Sequence, residues 1–405
     1  MIIDKFAALD TTNAPGQEMR QAAGNVGNLM RGKKMSGRPV DFSHGDVDAF
    51  LPTPGASDRF SEALAAGGRQ AYTEYRGSAK IRGELSEALA AFTGAPVSAD
   101  DGTIVTPGTQ GALFLAVASL VNDGDKVAVV QPDYFANRKL VEFFGGHPVP
   151  VAMDYLGGSE DAGLDFAQLK AAFEAGARVF LFSNPNNPTG AVYSRREISE
   201  ISRLAAAFDV TIIADQLYSR LLYSNQTYAH IRAAGLPEER VVTIMGPSKT
   251  ESLSGYRLGV AFGAPAVIER MEKLQAIVSL RAAGYNQAVL RTWFREPAGW
   301  LEGRIRQHQA IRNDLLGVFR DGALATREPQ AGSYLFPTLP TLAVELQDFV
   351  RLLRQQADVI VTPGTEFGPY PNSIRLNFSQ DHAAAVAAGR RIVEMAERYR
   401  AVGGI

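Results

Sequence analysis

The stretch of sequence that decides the fold runs from Thr243 to Gly259 and reads TIMGPSKTESLSGYRLG. It begins with apolar residues typical of a buried strand, and it then presents Lys249 and, eight residues later, Arg257. A lysine amine can condense with an aldehyde to form a Schiff base, and the released amine can act as a base. A single lysine after a strand is usually a solvated surface residue, so its interpretation depends on the other motifs of the chain.

Two companion motifs lie upstream of this stretch. Residues Asn184–Gly190 read NPNNPTG, and residues Asp215–Tyr218 read DQLY after an apolar segment. Alone, the first motif would be an ordinary turn, and Asp215 would be a helix cap. Together the three stretches supply an amine, a carboxylate, a phenol, an amide and a guanidinium. These groups are the ones needed to hold pyridoxal 5′-phosphate as a Schiff base and to use its ring as an electron sink.

The order of these motifs resembles that of the class I/II aminotransferases, the aspartate aminotransferase-like branch of the pyridoxal-phosphate enzymes. The resemblance extends from about Val40 to Phe378. It implies an α/β fold in which a large domain contains a mostly parallel seven-stranded sheet and a smaller domain is α+β. It also implies an amino acid:2-oxo acid aminotransferase that works by ping-pong half-reactions.

The resemblance assigns each contact with the cofactor to a residue of one of these motifs. Lys249 is the Schiff-base lysine, and Asp215 pairs with the pyridine nitrogen. Tyr218 and Asn187 address the 3′-oxygen of the cofactor, and Arg257 binds its phosphate.

A further turn predicts the rest of the phosphate site. The segment Thr106–Ala112 reads TPGTQGA and joins a strand to a helix, where glycine and the helix N-terminus favour an anion. By resemblance this turn is the phosphate cradle, and its contacting residues are Gly108, Thr109 and Gln110. The same resemblance stacks Tyr134 on the ring of the cofactor, whereas the alternative for this residue is a core aromatic.

One position departs from the family pattern. The family usually carries a serine three residues before the lysine, and this chain has Gly246 there. Ser248 remains as a cofactor contact, but it is placed differently. Phosphate binding is therefore expected to depend also on a tyrosine from a partner subunit, Tyr75, with Tyr72 as the alternative. If this arrangement holds, two chains build each pocket and the protein is a homodimer.

Three residues are substrate contacts by resemblance. Arg375 matches the arginine that clamps the substrate α-carboxylate, and its alternative is a surface arginine on an amphipathic strand. Gly45 belongs to a glycine-bearing segment that lies over the same carboxylate. Arg281, five residues before Asn286, matches an arginine that enters the partner's pocket and pairs with the distal carboxylate of aspartate or glutamate. A surface or interface arginine is the alternative for Arg281.

Composition narrows the classes of function. The chain has 405 residues, of which 46% are hydrophobic and 21% charged, with a net charge of −2. These values predict a globular protein with two domains, and they argue against binding to nucleic acid or anionic membranes. Cysteine is absent, which excludes disulfides and thiolate catalysis, and the five histidines lack metal-ligand spacing, so no metal is expected. No apolar run approaches the roughly 20 residues of a membrane span and no secretory signal is visible, so we expect a cytoplasmic protein.

The alternation of helices and strands from about residue 84 predicts the α/β large domain. We divide the chain into an N-terminal arm with part of the small domain (1–50), a large cofactor-binding domain (51–285) and a small C-terminal domain (286–405). Within the first division, residues 1 to about 38 have a charged, helical pattern.

Two other functions fit parts of this pattern. A carbon–sulfur lyase that works by β-elimination shares nearly all the cofactor contacts of an aminotransferase, so the motifs do not separate the two. A non-catalytic effector-sensing domain of a transcription regulator can reuse the same fold. That third reading expects a fused DNA-binding module and basic residues, and the net charge of −2 argues against it.

Overall fold

The computed structural model describes residues 9, 26–45, 48–157 and 160–401. Within these residues the chain is built around a seven-stranded sheet, with two smaller sheets beside it. The strands, in chain order, are β1 (Val40–Asp41), β2 (Thr103–Pro107), β3 (Lys126–Gln131), β4 (His147–Ala152), β5 (Val179–Ser183), β6 (Thr211–Asp215), β7 (Val241–Met245), β8 (Leu258–Gly263), β9 (Tyr334–Leu335), β10 (Val359–Ile360), β11 (Thr362–Pro363) and β12 (Ile374–Asn377).

The large sheet has the order β2-β8-β7-β6-β5-β3-β4. The pairs from β7 through β4 are parallel, and β8 runs antiparallel to both β2 and β7. Strands β5, β7 and β8 are buried along their whole length, as expected for a sheet that is covered on both faces. The predicted mostly parallel seven-stranded sheet is therefore confirmed.

Helices cover the two faces of this sheet. The longer helices are α1 (Ala56–Ala65), α2 (Ala79–Thr93), α3 (Gly108–Leu120), α4 (Phe135–Phe143), α5 (Phe166–Glu174), α6 (Arg195–Ala207), α7 (Pro265–Val278), α8 (Trp300–Asp321), α9 (Leu346–Ala357) and α10 (His382–Arg398). Short helical turns occur at Gly68–Ala71 and Gly284–Gln287. Helices α3, α4 and α7 pack against one face, and α5 and α6 pack against the other.

A separate apolar cluster surrounds the small antiparallel sheet β11-β12-β9. Helices α8, α9 and α10 contribute to this cluster, together with Val40 and Phe42 of the N-terminal segment. The expected smaller α+β part is thus present. Leu290 and Trp293 pack instead with residues of the large sheet. The domain boundaries drawn from the sequence stay predictions.

Two features differ from the sequence interpretation. Strand β4, which contains Pro148 and Pro150, is not among the strands expected from the sequence; the structure places it at the sheet edge, where proline is tolerated. The helical pattern of residues 1 to about 38 falls mostly outside the described residues, and residues 26–38 contain only the 3₁₀ turn Gly27–Leu29. No helix in the described part of the chain is long and apolar enough to cross a membrane.

Candidate active site

The carboxyl ends of the parallel strands bring the sequence motifs together at one edge of the large sheet. Pro107, Ser183, Asp215 and Met245 are the last residues of β2, β5, β6 and β7. Each strand therefore leads directly into a motif, and β7 leads into the turn that carries Lys249. Ligand sites of open α/β sheets form at this edge.

A cavity of about 250 Å³ opens at this edge. Ten residues proposed from the sequence line it: Thr109, Gln110, Tyr134, Asn187, Asp215, Tyr218, Ser248, Lys249, Arg257 and Arg375. A second cavity of about 540 Å³ shares His44, Ser248, Lys249 and Ser254 with the first, and it also borders Gly45. Lys249 therefore stands where the two cavities meet. Among the described residues, no group of three or more His, Cys, Asp or Glu side chains is placed to hold a metal ion.

Glycines make room for an anion at the start of α3. Gly108 has a φ of 77°, and a Cβ on it would lie 2.5 Å from Arg257 Nη2. A Cβ on Gly259 would collide with the backbone of Gly108 and Thr109. The N-terminus of α3, the guanidinium of Arg257 and the hydroxyl of Thr109 concentrate donors and positive charge here. This arrangement suits a phosphate group.

The structure provides a reason for the glycine at position 246. A Cβ on Gly246 would lie 2.8 Å from Thr109 Cγ2 and 3.1 Å from the carbonyl oxygen of Leu258. Thr109 therefore occupies the space that a serine side chain would need. Ser248 lines the cavity, and its hydroxyl is 3.5 Å from the carbonyl oxygen of Leu258.

Asp215 places a carboxyl group on the cavity wall. Its Oδ1 accepts a hydrogen bond from the backbone N–H of Leu217 at 3.0 Å. Burial raises the pKa of Asp215 to about 6, while that hydrogen bond and the positive charge of Lys249 oppose the rise. A cation that entered the cavity beside Asp215 would favour the charged carboxylate, and a protonated pyridine nitrogen is such a cation.

Asp133 and Ser183 form a series of buried hydrogen bonds that orients the predicted residues Tyr134 and Asn187. The sequence analysis singles out neither Asp133 nor Ser183. Asp133 accepts hydrogen bonds from the backbone N–H groups of Tyr134 and Ser183, at 2.6 and 2.9 Å, and from the Ser183 hydroxyl. The Ser183 oxygen accepts in turn from the backbone N–H of Asn187 at 3.1 Å. Burial raises the pKa of Asp133 to about 7, against the effect of these bonds. Tyr134 donates to Gln110 Oε1 at 3.1 Å. The sequence offered one signal for these hydrogen bonds, which is the acidic residue Asp133 two residues after the end of β3.

Arg375, on β12, is buried against the cavity. It is 1% exposed, so the alternative of a surface arginine does not hold. It donates to Asn187 Oδ1 at 3.3 Å and to the carbonyl oxygen of Ser43 at 3.0 Å. Its Nε has no hydrogen-bond partner among the residues that the structure describes. A buried cation with an unsatisfied donor, on a cavity wall, fits an anion such as a carboxylate.

The three residues proposed to serve a partner subunit lie together outside the cavity. The guanidinium carbon of Arg281 is 5.4 Å from the ring centre of Tyr72 and 5.3 Å from that of Tyr75. Arg281 also donates to the carbonyl oxygen of Thr73. Tyr72 is 81% exposed and Tyr75 is 42% exposed. Neither cavity, as the described residues bound it, includes any of the three.

Comparisons with known proteins identify relatives of this chain. A family model described as "Aminotransferase class I and II" matches residues 39–390. The crystal structure of an aspartate aminotransferase from Rhodobacter sphaeroides matches with a TM-score of 0.92 and 66% identity, over 93% of this chain and 96% of that one. Aspartate aminotransferase of Streptomyces avermitilis is 29% identical over 382 residues, which cover 89% of this chain and 90% of the relative. Aspartate aminotransferase of Thermus thermophilus with maleate has a TM-score of 0.82 at 25% identity, over 96% and 98% of the two chains.

Proposed function

Because this chain belongs to the class I and II aminotransferases and is an aminotransferase, we propose that its smaller cavity binds pyridoxal 5′-phosphate, joined covalently to Lys249 Nζ. The observation that carries the proposal is the convergence of Lys249, Asp215 and Arg257 on one cavity. These residues present an amine, a carboxyl group and a guanidinium. They match the aldehyde, the pyridine nitrogen and the phosphate of the cofactor.

The residues around the cavity fit the other parts of the cofactor. The start of α3, with Gly108, Thr109 and Gln110, would hold the phosphate together with Arg257 and Ser248. Neighbouring atoms leave no room for a Cβ at Gly108 or Gly259, so no side chain from these two positions enters the phosphate space. The ring would stack on Tyr134 and direct its nitrogen toward Asp215, and Asn187 and Tyr218 would address its 3′-oxygen. The proposed cofactor-binding residues from the cavity's own chain are Gly108, Thr109, Gln110, Tyr134, Asn187, Asp215, Tyr218, Ser248, Lys249 and Arg257, and Tyr75 of a second copy would complete the phosphate site.

The residues of this chain would have distinct roles in catalysis. When bound, the cofactor supplies an electron sink for bond changes at the substrate Cα. Lys249 Nζ, where the two cavities meet, would carry the proton that leaves Cα. Arg375 would clamp the substrate α-carboxylate through its unsatisfied Nε, with Gly45 nearby at the larger cavity. Asp215 would keep the pyridine nitrogen protonated.

The two alternative functions are not favoured. The solved structures and the relative reported above are all named aminotransferases, and none is named a lyase or a regulator. Elimination also differs from transamination in a measurable way, because it releases a 2-oxo acid and ammonia without an amino acceptor. Residence in the cytoplasm stays the prediction made from the sequence.

We further propose that two copies of the chain build each pocket. The large apolar side chains that remain exposed include a set from two touching segments of the chain: Leu64, Tyr72, Tyr75, Ile277, Val278 and Leu280. The segments touch where a Cβ on Gly284 would collide with the carbonyl oxygen of Gln70. An exposed apolar patch of this kind is typical of a protein–protein interface. Tyr75 and Arg281 lie on this patch, so a second copy would receive both residues in its active site.

We propose an acidic amino donor, with 2-oxoglutarate as an acceptor. The guanidinium of Arg281 is held between two tyrosine rings on the proposed interface. A guanidinium that reaches the partner's cavity would pair with the distal carboxylate of aspartate or glutamate and would discriminate against uncharged side chains. The name of the Rhodobacter sphaeroides structure, an aspartate aminotransferase at 66% identity, supports this choice.

A donor panel tests the proposed function. The protein loaded with pyridoxal phosphate is mixed separately with aspartate, glutamate, alanine and phenylalanine, and the visible absorbance of the bound cofactor is recorded. We expect the acidic donors to bleach the band and 2-oxoglutarate to restore it, whereas Lys249→Ala should show neither the band nor turnover. Continuous release of ammonia and a 2-oxo acid from a donor with a β leaving group such as cysteine, without lasting loss of the band and without an added 2-oxo acid, would support the lyase instead.

The same panel tests the substrate class. Arg281→Ala should raise the apparent KM for acidic donors roughly 10- to 100-fold, as expected for the loss of a charged hydrogen-bonded pair, while alanine is spared. Arg281→Lys is the matched variant that keeps the charge and loses the planar fork. An equal loss for every donor would assign Arg281 a structural role.

A further inference from the structure

Tyr334 lines the smaller cavity, although no motif of the sequence singles it out. It is the first residue of β9, where its backbone lies opposite Asn377 of β12, and it is 5% exposed. The guanidinium carbon of Arg375 lies 4.5 Å from the centre of its ring, a cation–π contact. The same small sheet therefore holds Tyr334 and the proposed carboxylate clamp.

The hydroxyl of Tyr334 reaches a residue that follows the large sheet. Tyr334 Oη lies 2.6 Å from Tyr218 Oη, and the two rings meet edge to face with their centroids 5.2 Å apart. Among the described residues, no other hydrogen-bond partner of the Tyr334 hydroxyl is found. Either phenol can supply the proton of this bond. If Tyr334 donates, the Tyr218 hydroxyl hydrogen remains available to a group in the cavity. If Tyr218 donates, only the Tyr334 hydroxyl hydrogen remains.

The charges around the pair favour Tyr334 as the donor. Burial by itself would raise the pKa of Tyr334, but Arg375, Lys249 and the bond with Tyr218 together hold it below its ordinary value. Burial raises the pKa of Tyr218 well above its ordinary value. The more acidic phenol is the better donor, so these charges, with the Arg375 guanidinium beside the Tyr334 ring, favour donation by the Tyr334 hydroxyl to the Tyr218 oxygen.

We propose that Tyr334 is a positioning residue, whose hydroxyl donates to Tyr218 and thereby directs the Tyr218 proton toward the 3′-oxygen of bound pyridoxal phosphate. The inference rests on the proposed function, because it needs the cofactor in this cavity. Hydrogen bonds in a chain polarise one another, so a phenol that accepts a bond becomes a stronger donor. Tyr334 acts in this way through Tyr218.

A pH titration of the visible absorption of the loaded protein tests the inference. The midpoint reports the proton on the nitrogen that joins Lys249 to the cofactor. A donor to the 3′-oxygen stabilises negative charge there and loosens that proton, so a weaker donor raises the midpoint. Tyr334→Phe keeps the ring and removes the hydroxyl, and it should raise the midpoint by roughly 0.5 to 1 pH unit, the size of one net hydrogen bond.

A double-mutant cycle separates this role from general packing. Tyr218→Phe should raise the midpoint further, and Tyr334→Phe should add nothing in the Tyr218→Phe background. Tyr370→Phe is the matched control, because Tyr370 packs against Tyr155 and Phe336 and does not line the cavity. It should leave the midpoint unchanged.

Two results would overturn the inference: an unchanged midpoint in Tyr334→Phe, or the same rise in both backgrounds. A wild-type protein that shows no pH-dependent visible band with pyridoxal phosphate would overturn the proposed function instead. The two failures are therefore distinguishable.

Discussion

At the scale of single residues, Asp215 serves the proposed site while it destabilises the cofactor-free fold. Burial raises its pKa to about 6 from an ordinary value of 3.8, so the folded chain holds this proton more tightly than the unfolded chain. The tighter proton binding of Asp215 stabilises the folded chain fully below about pH 4, and this stabilisation is lost as the pH rises to about 6. Above that pH the charged, buried carboxylate lowers the free energy of unfolding. A protonated pyridine nitrogen beside Asp215 would instead favour its charged carboxylate in the folded protein.

We predict that Asp215→Asn stabilises the cofactor-free protein at neutral pH and weakens the binding of pyridoxal phosphate. The stabilisation should be small near pH 4, should grow up to about pH 6 and should then level off at no more than about 3 kcal/mol, the value that follows from the shifted pKa. Thermal unfolding of the cofactor-free protein at several pH values measures this effect. A variant with unchanged cofactor affinity would show that Asp215 does not pair with the ring nitrogen.

At the scale of elements, buried ion pairs join the turns that follow β6 and β7. Arg220, two residues after Tyr218, donates to Glu251 at 2.6 Å, and Glu251 lies two residues after Lys249. Arg220 also donates to Glu296 at 2.7 Å. All three charged side chains are buried, so the removal of one partner would cost about 3–5 kcal/mol. The network therefore holds the Tyr218 and Lys249 turns in fixed relative positions.

The contact between the Lys249 turn and α3 leads to a second prediction. Gly246→Ser should weaken cofactor binding roughly 5- to 100-fold, because overpacking costs about 1–3 kcal/mol and displaces Thr109 from the start of α3. Equilibrium titration with pyridoxal phosphate measures the affinity.

A second substitution provides the control for this prediction. Thr109→Ser removes the Cγ2 atom that a Cβ at position 246 would approach to 2.8 Å, and it keeps the hydroxyl. The Gly246→Ser/Thr109→Ser protein should therefore recover most of the affinity lost in Gly246→Ser. If the double variant binds no better than the single variant, the clash with Thr109 is not the reason for the glycine.

At the scale of the whole molecule, the exposed face formed by Leu64–Tyr75 and Ile277–Arg281 is the surface on which we propose that two copies meet. Tyr75 and Arg281 lie on this face, whereas Lys249 and Arg257 line the cavity. In the proposed homodimer, Tyr75 and Arg281 of one copy would meet Lys249 and Arg257 of the other copy across the interface.

We predict that an inactive Lys249→Ala protein and a Tyr75→Phe/Arg281→Ala protein that is impaired toward acidic donors regain activity with low aspartate when their subunits exchange. In a hybrid of Lys249→Ala with Tyr75→Phe/Arg281→Ala, one pocket combines the intact Lys249 of one chain with the intact Tyr75 and Arg281 of the other. Random exchange of equal amounts should restore about a quarter of the wild-type sites. The mixture of Lys249→Ala with Arg257→Ala is the matched control and should stay inactive, since both residues belong to the pocket of their own chain. A fully active monomer in sedimentation would exclude the shared pocket.

The sequence by itself determined the α/β class and the placement of Lys249, Asp215 and Tyr218 after strand ends, and the mostly parallel sheet was implied by the family resemblance. The class and these placements follow from short motifs and from the apolar character of single strands, which are local properties of the chain. The sequence also placed the departure at Gly246, but the reason is a contact with Thr109 from another element.

Only the tertiary structure decided the burial of Arg375, the edge position of β4 and the pairing of Tyr334 with Tyr218. The strand that carries Arg375 has an amphipathic pattern compatible with either a buried or a solvated side chain. The two tyrosines are separated by 116 residues, and their hydroxyls meet because β9 and the turn after β6 pack at the same cavity. Such contacts depend on how distant elements pack, and no local pattern of residues encodes them.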